Sequence, residues 1–202
     1  MKLIVLFALV GAVTCSCSSE STDPVSAGDA ANYRESCVNA LSGQVRMEFE
    51  ASLQYLLMAA QFSQDNYNLP GVAGMFWEHA DEERQHAKEF ISYLRMRGHH
   101  DNDFFGDAPI KPILGKNTWE NVSEALRDAL AMEKAVSGSM KRMIDICMQE
   151  GEDDPHAVDW LTGTWLEEQL SGQRHLAGLI NTLDRFSVGH GDFAEWMFNK
   201  EL

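Results

Sequence analysis

The sequence is short of positive charge. It has 16 lysine and arginine residues against 31 aspartate and glutamate residues, which gives a formal net charge of -15. A chain this acidic repels nucleic acid and anionic membrane surfaces, so we expect neither as a partner. The surplus of carboxylates either keeps the protein soluble or attracts cations. Charge alone leaves both explanations open.

The sequence also lacks an apolar run long enough to cross a membrane. The run at residues 3–13 falls short of the roughly 20 residues that a spanning helix needs. Lys2 before it and small, polar residues after it are typical of a secretory signal peptide. We predict a signal peptide over residues 1–18, a flexible arm over 19–31, and a mature protein in the secretory pathway or outside the cell. A lipoprotein signal at Cys15 is a weaker alternative, because Thr14 suits it poorly.

Cysteine is scarce. Of the four cysteines, Cys15 and Cys17 fall in the predicted signal peptide, which leaves Cys37 and Cys147 in the mature chain. A secreted protein permits a disulfide between these two residues. Their spacing does not show whether they pair.

Apolar residues that recur at steps of three and four predict an all-α chain with four long helices and a short fifth helix. The predicted helices span residues 33–62, 70–97, 117 or 118 to 147, 156–186 and 192–199. Two short turns make the first and second helices, and the third and fourth, antiparallel neighbours. A helix of about 28 residues is about 42 Å long. The loop at 98–116, when extended, reaches about 60 Å. The second and third helices therefore run parallel in a four-helix bundle with one long crossover.

Each long helix carries a polar residue at the middle of its apolar stripe. These residues are Glu48, Glu83 with His86, Glu133 and Gln169. Because all lie at mid-height, a bundle brings them into one layer. Separate polar residues, each satisfied locally, are the alternative. Three crowded acids resist ionisation unless cations neutralise them.

Mixed carboxylate and imidazole ligands suit iron or manganese better than magnesium, calcium or structural zinc. Two metal ions that share Glu83 as a bridge satisfy this set most simply. Tyr55, two turns from Glu48, is placed to donate a hydrogen bond to a ligand such as Glu133. Alternatively, Tyr55 is a core residue whose hydroxyl forms a hydrogen bond with some other group.

Four segments around these residues resemble heavy-chain (H-type) ferritin. They are RMEFEASLQYL, HADEERQHAKE, ALAMEKAV and WLEEQLSGQ. The resemblance covers residues 32–202 and identifies them as a ferritin-like di-iron domain. It implies a ferroxidase that oxidises Fe(II) with dioxygen or peroxide. The resemblance further implies that Glu48, Glu83 and His86 hold one iron, and that Glu83, Glu133 and Gln169 hold or approach the other, with Tyr55 beside them.

The resemblance also implies an assembly that stores ferric mineral in a shell of 24 subunits. The subunits are one chain type or include a light-type ferritin partner. The predicted signal peptide and the two remaining cysteines resemble secreted invertebrate ferritins. They imply a disulfide between Cys37 and Cys147, which lie at the same end of the bundle.

Some positions depart from the family's pattern. Asp159 matches one acid of its three-fold iron channel, but Thr162 stands at the second acidic position, so we expect iron to enter there less readily or through His156. Three exposed acids of the second helix form a predicted mineral-nucleation patch or a solvated face. They are Glu78, Asp81 and Glu82.

Other functions compete with the ferroxidase. A non-catalytic shell subunit is disfavoured, because every ferroxidase position is retained. A rubrerythrin-like peroxidase would carry a second Glu-x-x-His pair on the fourth helix, where residue 172 is glycine. A bundle that serves only for interaction is the remaining alternative.

Overall fold

The computed structural model describes residues 34–149, 151 and 153–202, and these are helical with no strand. The predicted signal peptide and arm lie outside the described residues. Within these described residues, six α-helices and one π-helical segment follow one another. They are α1 (Glu35–Phe62), α2 (Pro70–Met96), α3 (Val122–Cys147), α4 (Pro155–Trp160), the π segment (Leu161–Trp165), α5 (Leu166–Ser187) and α6 (Asp192–Glu201). None of the described helices is long and apolar enough to cross a membrane.

Contacts at the helix ends give the predicted topology. The turn between α1 and α2 is closed by a hydrogen bond from Leu69 N to Phe62 O at 3.1 Å. A disulfide joins Cys37, at the start of α1, to Cys147, at the end of α3, so these two helices are antiparallel. Arg97, just after α2, binds Asp154, whose backbone N–H donates to Cys147 O at the end of α3. Helices α2 and α3 are therefore parallel. The four-helix bundle with a long crossover is confirmed.

The crossover loop lies along α1. The Arg46 guanidinium donates to the carbonyl oxygens of Phe105, Ala108 and Pro109. The buried side chain of Gln54 donates to Lys116 O at 2.7 Å and accepts from Leu114 N at 3.1 Å. Polar side chains of α1 thus provide hydrogen-bond partners for backbone groups of the crossover loop, which are not paired within a helix.

Helix α3 starts four or five residues later than predicted. Gln61, at the end of α1, exchanges two hydrogen bonds with the backbone of Trp119, at 2.6 and 2.9 Å, and this holds the segment before α3 outside the helix. Asn121 then caps the helix, because its side-chain oxygen accepts from Glu124 N at 2.8 Å. The helix propensity of the residues just before α3 gives no sign of this contact with Gln61.

The fourth predicted helix is confirmed as a helical stretch, but it is not uniform. Residues 161–165 form a π segment between α4 and α5. A π segment has a wider turn than an α-helix. It therefore shifts the set of side chains that face the core after it relative to the set before it. The sequence pattern, read at a constant period, did not predict it.

Helix α6 closes the bundle at the start of α2. The Asn199 side-chain oxygen accepts from Gly71 N at 2.7 Å and from Val72 N at 3.2 Å. Helix α2 has no side-chain cap of its own, so Asn199 satisfies amides that every helix start leaves free. A side chain at position 71 would meet the Asn199 backbone, which explains the glycine.

The apolar core has two parts. One cluster contains Tyr55, Phe62 and Phe76, and the other contains Val45, Phe90 and Trp165. The mid-helix polar residues fall between the two clusters along α1, α2 and α3. The buried polar layer is therefore enclosed by apolar packing above and below.

We expect the disulfide to contribute strongly to stability. It closes a loop with a sequence separation of 110 residues, for which chain-entropy arguments give about 5 kcal/mol. Replacing both cysteines by alanine, which suits their buried positions, is expected to lower the thermal unfolding midpoint. Reduction of the wild-type protein should reproduce the shift. An unchanged midpoint, with bond loss verified by thiol titration, would contradict this expectation.

The Arg97–Asp154 pair is expected to make stability depend on acid pH. Burial raises the pKa of Asp154, but hydrogen bonds from Arg97 and Ala157 N outweigh it and leave the pKa below its usual value. The contribution is therefore present above about pH 4 and is lost as the pH falls through the depressed pKa. Asp154→Ala should cost about 3 kcal/mol at pH 7, and the difference from wild type should shrink at acid pH. Asp153→Ala, an exposed neighbour, is the control, and equal losses in both variants would refute the assignment.

Candidate metal centre

Three potential ligands converge from α1 and α2. One ligand atom from each of Glu48, Glu83 and His86 lies within 4.8 Å of the other two. Glu83 and His86 meet because residues three apart on a helix share a face. Both glutamates are buried and His86 is partly buried. Among the described residues, no other set of at least three acids, histidines or cysteines meets this spacing.

Glu133 of α3 and Gln169 of α5 lie beside this trio. The Gln169 amide donates to Glu133 Oε2 at 3.2 Å, and the Tyr55 hydroxyl donates to Glu133 Oε1 at 2.6 Å. All three side chains are buried. The six residues predicted for the layer are therefore close together, and Tyr55 bonds Glu133 as its spacing suggested.

The carboxylates are crowded in a dry environment. Burial raises the pKa of Glu48 well above its ordinary value, and the nearby charge of Glu83 raises it further. Burial likewise raises the pKa of Glu83, with the charge of Glu133 adding to it. Burial and Glu133 also raise the pKa of Tyr55, so its hydroxyl remains a donor. The acids can all be ionised together only if cations compensate their charge.

Several buried oxygen atoms at this layer have no hydrogen-bond partner. They include Oε2 of Glu48, Oε1 of Gln44 and Oε1 of Gln169. An unsatisfied buried acceptor costs about 1–3 kcal/mol. Oxygen atoms that find no donor are suited to bind a cation instead. The donor set of carboxylate, amide and imidazole fits iron or manganese.

Sequence reasoning missed two residues that contact the layer. Gln44, fully buried one turn before Glu48, donates to Glu48 Oε1 at 2.7 Å. Glu168, beside Gln169, lies 2.9 Å from Nε2 of His86. Burial lowers the pKa of His86, but Glu168 and the other nearby acids outweigh it, so the pKa is raised. Gln44 was detectable as a polar residue on the apolar stripe of α1, whereas Glu168 had no such signal.

The two residues predicted for a channel, His156 and Asp159, lie on α4. His156 is exposed, and its Nδ1 is 2.9 Å from the Tyr93 hydroxyl. Asp159 is exposed as well. The Thr162 hydroxyl donates to Val158 O at 2.8 Å within its own helix. A channel role for His156 and Asp159 stays a prediction, because it depends on neighbouring subunits.

The three acids predicted to nucleate mineral are exposed on α2, apart from the buried layer. Two of them have a polar partner within the helix: Asp81 forms an ion pair with Arg84, and Glu82 Oε2 lies 3.0 Å from Nδ1 of His79. The hydrogen bond with His79 lowers the pKa of Glu82. Glu78 is exposed without such a pair in the described structure. Their nucleation role stays a prediction.

The chain is similar to known ferritin heavy chains. The chain is 44% identical to the ferritin heavy chain of Trichoplusia ni over 168 residues, which are 83% of this chain and 79% of that protein. It is 38% identical to the ferritin heavy chain of Drosophila melanogaster over 174 residues, 86% of this chain and 84% of that one.

A solved structure agrees with the sequence comparison. The crystal structure of Trichoplusia ni secreted ferritin superposes with a TM-score of 0.80 at 40% identity and covers 91% of this chain and 97% of its own. The profile of the ferritin-like domain family matches residues 38–186. This match includes all six residues of the polar layer, and the chain therefore belongs to the ferritin family.

Proposed function

We propose that this chain is an iron-storage subunit that oxidises Fe(II) at the layer formed by Glu48, Glu83, His86, Glu133 and Gln169. The observation that carries the proposal is the set of crowded, buried acids with unpartnered oxygen atoms beside them. Such a set is destabilising in a purely structural bundle. Iron is the substrate here, and it supplies the charge that the layer lacks.

The layer offers two unequal positions for iron. Glu48, Glu83 and His86 form the first, and Glu83, Glu133 and Gln169 form the second, so Glu83 is shared. Tyr55 orients Glu133 by holding one of its carboxylate oxygens. Iron binding displaces protons that the raised pKa values retain on the acids.

The negative charge of the carboxylate ligands favours the oxidation of bound Fe(II) to Fe(III). Fe(III) carries one more positive charge than Fe(II), and its attraction to buried carboxylates is correspondingly larger. The site therefore stabilises the product more than the substrate. Two ferrous ions give up one electron each. With two protons, these two electrons reduce one dioxygen to hydrogen peroxide, or one hydrogen peroxide to two water molecules.

Assembly into a 24-subunit shell is part of the proposal. The end of the bundle near α6 exposes large apolar side chains, which are typical of a surface that another subunit covers. They are Phe186, Val188, Phe193 and Trp196. The neighbour is a second copy of this chain or a light-type ferritin subunit. The buried Cys37–Cys147 disulfide supports a secreted or secretory-pathway location.

We expect Glu83→Ala and His86→Ala to reduce dioxygen-dependent Fe(II) oxidation by more than about tenfold, because each removes a ligand of the first position. An oxygen electrode measures the rate, and circular dichroism verifies the helical fold. Glu89→Ala, at an exposed position of the same helix, is the matched control. Wild-type rates in both ligand variants would exclude the proposed site.

Purified alone, the mature chain is expected to form a particle 24 times its own mass. Light scattering coupled to size-exclusion chromatography measures the mass. Trp196→Glu should weaken assembly, because it places a charge in the exposed apolar patch near α6. A wild-type particle of only a few subunits would contradict the shell, and a wild-type particle formed only with a light-type partner would show that the shell is mixed.

A further inference from the structure

The two ring nitrogens of His86 face two different carboxylates. Nδ1 points toward Glu83, with 3.4 Å between Nδ1 and Oε2. Nε2 points away from the buried layer, toward Glu168 Oε1 at 2.9 Å. Glu168 belongs to α5 and its side chain is half exposed. The ring therefore bridges the buried ligand set and an acid at its edge.

Which nitrogen carries the proton decides whether His86 can bind a metal ion. Neutral imidazole has one N–H group and one lone pair, and only the lone pair is a ligand. A carboxylate accepts hydrogen bonds and does not donate them when ionised. Glu168 therefore favours the tautomer with the proton on Nε2, and this leaves the lone pair of Nδ1 directed at Glu83 and the layer.

A second contact fixes the plane of the ring. The indole of Trp165, which is almost fully buried, lies edge-on to His86 with ring centroids 5.1 Å apart and an angle of 89° between the planes. Trp165 sits in the π segment and Glu168 follows it by three residues. The π segment and the start of α5 thus supply the ring contact and the hydrogen bond that set the orientation of His86.

We propose that Glu168 is a positioning residue that holds His86 with its proton on Nε2 and presents Nδ1 to the first metal position. This inference rests on the proposed function of the layer. Glu168 acts through His86 and is not itself a ligand of that position. Carboxylate partners of this kind typically change metal affinity by 10- to 100-fold.

Cobalt(II) binding to the assembled, iron-free protein tests the proposal without turnover. Glu168→Ala is expected to weaken the first cobalt-binding step by about tenfold or more and to change the visible spectrum of the bound ion. Glu168→Gln should restore most of the affinity, since its amide oxygen still accepts from Nε2. Glu167→Ala removes the neighbouring exposed acid and should leave affinity and spectrum at wild-type values.

A double-mutant cycle separates positioning from direct ligation. If Glu168 acts through His86, adding Glu168→Ala to His86→Ala produces no further loss of cobalt affinity. An equal loss in both backgrounds would show that Glu168 binds the metal directly and would overturn the proposal. Wild-type affinity in Glu168→Ala would overturn it as well while leaving the ferroxidase layer intact.

Failure of the proposed function gives a different result. In that case the wild-type protein and Glu167→Ala bind no cobalt in the bundle, and His86→Ala changes nothing. Circular dichroism and particle mass verify that each variant folds and assembles. Recovery in Glu168→Gln distinguishes loss of the hydrogen bond from a general loss of helix packing.

Discussion

The rest of the structure depends on the burial of three carboxylates in one layer of the bundle. Glu48, Glu83 and Glu133 repel one another, and burial adds to the cost of ionising them. A helical bundle with this defect needs stabilisation elsewhere. Apolar clusters enclose the layer above and below, and the long-loop disulfide joins α1 to α3 at one end. Stability lost at the site is thus offset by packing and by a covalent link outside it.

The crossover loop determines which residues meet in the layer. With a short connection, α3 would start where α2 ends, and the two helices would be antiparallel. Arg46, Gln54 and Gln61 on α1 instead hold the loop and its exit along the bundle. These three polar residues support the geometry of the site although none of them contacts it.

The sequence predicted the bundle and the members of the layer because helical periodicity is a local property. The spacing of Glu83 and His86 alone predicts that they share a helix face, and the position of Glu133 at mid-height predicts that it joins the same layer. Contacts between residues of different helices could not be predicted from the sequence pattern. The later start of α3 depends on Gln61, nearly sixty residues away, and the contact of Glu168 with His86 crosses from α5 to α2. The pairing of Cys37 with Cys147 was left open by spacing and came only with the resemblance and the fold.

The two proposed iron positions differ in the ligands that they offer. The first has two carboxylates and an imidazole whose free nitrogen is held toward the layer. The second has an amide, Gln169, in place of a charged or nitrogen ligand, and its remaining carboxylate, Glu133, gives one oxygen to Tyr55 and the other to Gln169. Each of these hydrogen bonds uses one of the two lone pairs of a Glu133 oxygen and withdraws electron density from it, which weakens the attraction of that oxygen for a metal ion. Under the proposed function, iron at the second position is therefore held more weakly than iron at the first.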